Sequence, residues 1–176
     1  MKRYLLLFMF VVLSMICHAQ DSQDLTAADR INYVINIDLN ILSKTNYSLP
    51  KGNGYMYTKP VLFVRVTLAN RSNDTLKYLS MSCSWDSFYI VDKQNIAQIP
   101  KSPCQSNFPV QRIVLPHSSV TVKVPIIKIK DGKFRIGMTL LKVVIEKSIF
   151  DSIGVEKTMH ANKNKNVIWS KPIKLP

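Results

Sequence analysis

Apolar and polar residues alternate with a period of two along most of the chain. Ile31, Tyr33, Ile35, Ile37, Leu39 and Ile41 alternate with a polar set that includes Asn32, Asn36, Asp38 and Asn40. Helical spacing would scatter those apolar positions around a cylinder, so Ile31 to Leu42 is expected to be a strand. The stretch from Val61 to Val91 organises the rest. Val61 to Leu68 is rich in β-branched and aromatic residues, and the polar cluster Asn70-Arg71-Ser72-Asn73-Asp74 then predicts a reversal. Beyond it Leu79, Met81, Cys83 and Trp85 fall on one face and Ser80, Ser82, Ser84 and Asp86 on the other. One greasy face at period two predicts a half-buried antiparallel strand running through Trp85.

Between these elements, Ser43 to Lys59 carries Pro50, Gly52 and Gly54 and is expected to be the longest irregular segment. Downstream, Ile96 to Ile99 and Arg112 to Leu115 are expected to be short strands, with turns at 92–95 and 116–119. Val120 to Lys130 changes phase at Pro125, which lacks a ladder donor and predicts an edge strand or a bulge. From Lys133 to Ile145, Phe134, Ile136, Met138 and Leu140 point one way. Glu146 to Asn166 is polar and irregular, and Val167 to Leu175 is a last strand with Trp169 buried. The pattern amounts to about eight or nine strands without alternating helices, hence an all-β, antiparallel β-sandwich.

The first residues follow another rule. Lys2 and Arg3 precede an apolar run from Tyr4 to Ile16, and Cys17-His18-Ala19-Gln20 follows. This order reads as a secretory signal peptide over residues 1–19, cleaved after Ala19. The run is shorter than the ~20 residues that span a bilayer, and no later stretch is long and apolar enough to try, so no transmembrane segment is expected after cleavage. Cys17 also permits a lipoprotein reading, although Ile16 stands where that motif wants a small side chain. The expected address is periplasmic or extracellular. Residues 20–30 read as a flexible mature N-terminus with at most one helical turn near residues 25–28, and residues 31–176 as one sandwich domain.

Export changes the meaning of the cysteines. Cys83 and Cys104 remain after cleavage, and an even pair in an oxidising compartment is expected to form a disulfide. Two buried free thiols are the alternative. Two thiols without nearby histidines do not complete a zinc shell, so neither a metal nor a cofactor is expected.

The 176-residue chain has 24 Lys and Arg against 11 Asp and Glu, a net charge of +13 that becomes +11 once Lys2 and Arg3 leave. Most of the excess lies beyond Gln111. A basic half suits anionic lipid or polysaccharide. The lysines stand singly rather than clustered and no nucleic-acid motif accompanies them, so nucleic acid is not an expected partner.

The order of features from Phe63 to Ile126 resembles a known family. A strand ends in the turn Asn70-Arg71-Ser72-Asn73-Asp74-Thr75, an aromatic-rich strand runs into residues 88–95, and residues 113–126 supply strand, Pro-led turn and strand. This resembles small exported immunoglobulin-like β-sandwich proteins of Bacteroidetes-type bacteria, and distantly the bacterial intracellular proteinase inhibitor domain. The resemblance implies an immunoglobulin-like sandwich, and it carries over no inhibitory motif. For such a host, Asp74-Thr75-Leu76 and Asp151-Ser152-Ile153 resemble an O-glycosylation acceptor. In a eukaryotic secretory pathway Asn46, Asn70 and Asn73 would fit the N-glycosylation pattern.

Catalytic chemistry finds little purchase. His117 beside Ser118 and Ser119 is a neighbour in sequence only, and His160 lies in a polar stretch. Asp86, Asp92, Asp131, Glu146 and Glu156 are explained by turn and surface roles, and Gly52-Asn53-Gly54 lacks the strand-to-helix context of a phosphate cradle. Tyr47, Tyr55 and Tyr57 are the candidate ligand-binding residues, because tyrosine gives broad contact area at low entropic cost. Trp85 and Trp169 are expected in the core, Trp85 packing on the disulfide as in other sandwiches. The expectation is an exported, non-catalytic binding domain with a protein partner. An inhibitor or immunity-type module that occludes a hydrolase is the alternative, and a hydrolase with an unrecognised site a second one.

Overall fold

The computed structural model describes residues 22–50, 56–101, 104, 107–143 and 165–176, with the backbone alone at 22–23, 40–44, 46–50 and 56–59. In chain order the strands are β1 (Ser22–Gln23), β2 (Tyr33–Pro50), β3 (Met56–Asn70), β4 (Leu76–Met81), β5 (Tyr89–Val91), β6 (Ala97–Gln98) and β7 (Pro109–Val114). They continue as β8 (Ser119–Lys128), β9 (Lys133–Phe134), β10 (Ile136–Thr139), β11 (Leu141–Val143), β12 (Val167–Trp169) and β13 (Ile173–Lys174). One helix, α1 (Ala27–Asn32), precedes β2, and a 3-10 turn covers Trp85–Phe88. These segments outnumber the expected eight or nine strands because long apolar stretches divide as the chain changes sheets.

The strands pair antiparallel in the orders β1-β11-β4-β7, β12-β10-β5, β13-β9 and β2-β3-β8-β6, an all-β sandwich. Its core lies between the first and last of these sheets. From β2, β3 and β8 come Ile35, Val64, Val66, Leu68, Val124 and Ile126, and from β4 and β7 come Leu76, Tyr78 and Val114. The register explains the rows: Ile35 faces Leu68, which faces Val120, and Val66 faces Val122. Phe134, Ile136, Met138 and Leu140 are all buried in this core, although β9, β10 and β11 join three different sheets. Among the described residues, no helix is long and apolar enough to cross a membrane.

Several expectations are corrected. The segment from Ser22 on is not loose: β1 pairs with β11, Leu25 is buried, and Thr26 and Asp29 form a capping box that starts α1. That box makes Ile31 helical and 73% exposed, outside the strand expected to hold it. Ser43 to Pro50 and Met56 to Lys59 are not irregular: β2 and β3 stay paired from Ser43↔Phe63 to Pro50↔Met56, after a register shift between Asp38 and Ser43. Pro50 therefore closes the arm of a hairpin, and Gly52 and Gly54 lie outside the described residues.

The strand expected to run through Trp85 stops at Met81. The Leu79 and Met81 face meets Phe88 and Leu141 in a small second core, whereas Tyr78 on the opposite face enters the main one. β4 is thus covered on both sides, and Trp85 turns to the main core, edge-on to Tyr89 at 6.1 Å. Finally, β8 pairs with β3 in unbroken register through Pro125, so there is no bulge there. Only Ile127 and Lys128 meet β6, which leaves most of β8 on an edge, where a missing donor is tolerated.

Candidate functional site

Two edges of the sandwich end side by side. β7 is the outermost strand of its sheet, and β8 is outermost over most of its length. Between them lies a cleft of about 190 Å³. One wall is the inner face of β4 and β7, with Tyr78, Ser80 and Arg112; the other is Val120 and Val122 of β8. Trp85, Phe88, Tyr89 and Met138 complete the lining.

The register places each polar group. Tyr78 stands between Lys142 of β11 and Arg112 of β7, so the three share one row across the sheet. Lys142 is occupied at the far end by Asp29, at 2.7 Å, and lies 5.8 Å from the Tyr33 ring. Arg112 is exposed, because β7 has no outer neighbour among the described residues. Burial pushes the Tyr78 phenol above its ordinary value, with Arg112 pulling the other way. Burial pushes Tyr89 up too, and Tyr78 adds to the effect. Both phenols are therefore neutral donors at physiological pH.

The outer side of the β7 edge is different in kind. Ile113, on the face of β7 opposite Arg112, is 54% exposed, as are Leu115 just past the strand (60%) and Phe108 just before it (61%).

The residues singled out in the sequence are placed as follows. Cys83 and Cys104 form a disulfide with Cα atoms 5.9 Å apart. Asn107 reinforces that closure: its Oδ1 accepts from the Cys83 and Ser84 amides, and its Nδ2 donates to Ser84 Oγ. Tyr47 sits opposite Lys59 and Tyr57 opposite Leu49 on the hairpin arms, while Tyr55 lies outside the described residues.

His117 occupies a turn at φ 53°, and its Nε2 lies 2.9 Å from Asn73 Oδ1, tying two turns together. Asp92 accepts from the Arg135 backbone and from its Nε at 2.9 Å, and Asp131 pairs with Lys128 at 2.6 Å. Asp86 is buried in the 3-10 turn. Trp169 is only partly buried, with the Arg135 guanidinium 5.1 Å from its ring centre. Asn70 is buried to 1%, and its amide donates to the carbonyls of Asp74, Val114 and Leu115, so the acceptor nitrogen is committed inside the fold. Cys17, His160, Glu146, Glu156 and residues 151–153 lie outside the described residues.

The cleft residues were missed in the sequence. Arg112 and Val122 are ordinary strand residues, and no local spacing signals that two edges will meet.

The chain is an all-β antiparallel sandwich with one disulfide and a cleft between two strand edges. No family model, curated protein or solved structure matches it.

Proposed function

We propose that this protein is an exported, non-catalytic binding domain of the bacterial envelope or exterior, and that its partner is a protein engaged at the β7 edge. The carrying observation is the exposed pair Ile113 and Leu115 on one face at the end of β7, a strand whose outer hydrogen-bonding edge has no neighbour among the described residues. Such an edge is a template for pairing with another chain, and apolar side chains along it add affinity. The leader pattern at residues 1–19 and the Cys83–Cys104 disulfide support export.

The test is crosslinking and pull-down from the native envelope with wild-type protein and with an Ile113→Lys, Leu115→Lys variant. A protein captured by the wild type and lost from the equally folded variant supports the reading. Identical captures would reject this edge as the contact.

A second reading, attachment to anionic lipid or polysaccharide, is favoured by one feature. Lys133 and Lys174 stand directly opposite each other across β9 and β13, both exposed. Opposed like charges repel, and a bound polyanion relieves that repulsion. Retention on an acidic polysaccharide should then fall as salt rises, and unchanged retention would exclude it.

A further inference from the structure

The β7–β8 cleft has a chemistry that the edge-pairing proposal leaves unused. Tyr78 and Tyr89 are 6% and 8% exposed and line the cleft, and neither hydroxyl is among the fully buried polar atoms without a partner, so both are open to an occupant. Two phenol hydroxyls on one cleft can donate to an occupant that accepts hydrogen bonds. Arg112 adds a cation at the rim, one register step from Tyr78 across the sheet. Two neutral phenol donors and a guanidinium suit an anionic acceptor, and a planar carboxylate matches the guanidinium fork.

The remaining surface is apolar: Trp85, Val120, Val122 and Met138. Volume limits what lies against it. A cavity near 150 Å³ accommodates benzene, so about 190 Å³ takes one ring or a short branched chain within it.

We propose that the cleft between β7 and β8 binds a small amphipathic carboxylate, with its anionic head on Arg112, Tyr78 and Tyr89 and its ring or short chain against Trp85, Val122 and Met138. This is independent of a protein partner on the outer side of β7, where Ile113 and Leu115 are exposed.

The experiment is titration of the disulfide-bonded protein with phenylacetate, followed by amide chemical shifts. Saturable shifts are expected at Tyr78, Tyr89, Arg112 and Val122. Arg112→Met should weaken binding about tenfold and Tyr89→Phe about threefold, the loss expected for a charged and a neutral hydrogen bond respectively. Lys123→Met, on an exposed position of β8, should change nothing. The neutral amide, phenylacetamide, should bind wild type at least about tenfold more weakly. Absence of saturation, equal binding of the amide, or an equal loss in Lys123→Met would each overturn the proposal. If Arg112→Met does not fold, the comparison of acid with amide on the wild-type protein decides the matter.

Discussion

Asp29 and Lys142, 113 positions apart, meet at 2.7 Å and join α1 to β11. The same carboxylate accepts from Thr26 through both its backbone N–H and its hydroxyl, so one side chain closes the helix cap and the ion pair together. Burial alone would raise the Asp29 carboxyl, but the hydrogen bonds from Lys142 and Thr26 outweigh it and hold the group below its ordinary value. A carboxyl depressed in the folded state contributes stability above its unfolded pKa, and that stability is lost as pH falls through the folded pKa. The urea midpoint should therefore hold steady from pH 7 to about 5 and drop below about pH 4. Asp29→Asn should cost about 2 kcal/mol at neutral pH and flatten that acid limb, read by urea denaturation across pH.

Asn70 joins its own turn to the end of β7, 44 and 45 positions along the chain. Its amide donates to Asp74, Val114 and Leu115, and its Oδ1 accepts from the Ser72 amide and hydroxyl. Asn70→Ala should cost about 3 kcal/mol, because several buried backbone carbonyls lose their donor at once. Thermal and chemical denaturation measure it. Asn73→Ala, which loses only the exposed contact to His117, should cost under about 1 kcal/mol.

Gly137 leaves no room for a side chain. A Cβ there would lie 2.5 Å from Val167 Cγ1 and 2.8 Å from Trp169 Cε3 and Cζ3. Gly137→Ala should lower stability by about 2 kcal/mol through displacement of β12. Trp169 fluorescence should shift with it, since the ring must move against Arg135.

The disulfide closes the loop between β4 and β7, a separation of 21 residues. Reduction, or the double change Cys83→Ser, Cys104→Ser, should cost about 3 kcal/mol in denaturant unfolding. The β4–β7 ladder from Leu76↔Val114 to Met81↔Pro109 should persist, with amide protection lost first at Ser82 to Ser84.

The apolar pair at the end of β7 should respond to one charge without harm to the fold. Ile113 is 54% exposed, so Ile113→Lys should change stability by under about 0.5 kcal/mol. It should lower self-association or partner capture, followed by light scattering and pull-down.

Much of the fold was legible from period-two alternation. Phe134, Ile136, Met138 and Leu140 are all buried as expected, and Tyr33 and Ile35 sit inside while Asn36 does not. The misses share a cause. Alternation at Leu79, Met81, Cys83 and Trp85 predicts one strand, but a side chain's pattern does not reveal where hydrogen-bonding partners run out. The β4–β7 pairing ends at Met81↔Pro109, and the chain then folds into the 3-10 turn. Ile31 was misassigned because Thr26 and Asp29 form a local helix start that competes with the strand pattern. The Gly and Pro residues of 50–54 were read as loop punctuation, whereas the cross-strand partner holds Thr45, Tyr47 and Tyr57 in a hairpin arm.

The sequence by itself determined the class: alternating apolar rows, polar turns, and a cysteine pair that forms one bridge. Those are local facts, set by the two-residue repeat of a pleated chain and by turn chemistry. Only the tertiary structure decided that β7 and β8 are the strands left on adjacent edges, and that Arg112, Tyr78 and Tyr89 share one cavity with Val122. Which strands become neighbours depends on how whole faces bury one another across the sandwich, and no short stretch of chain carries that information.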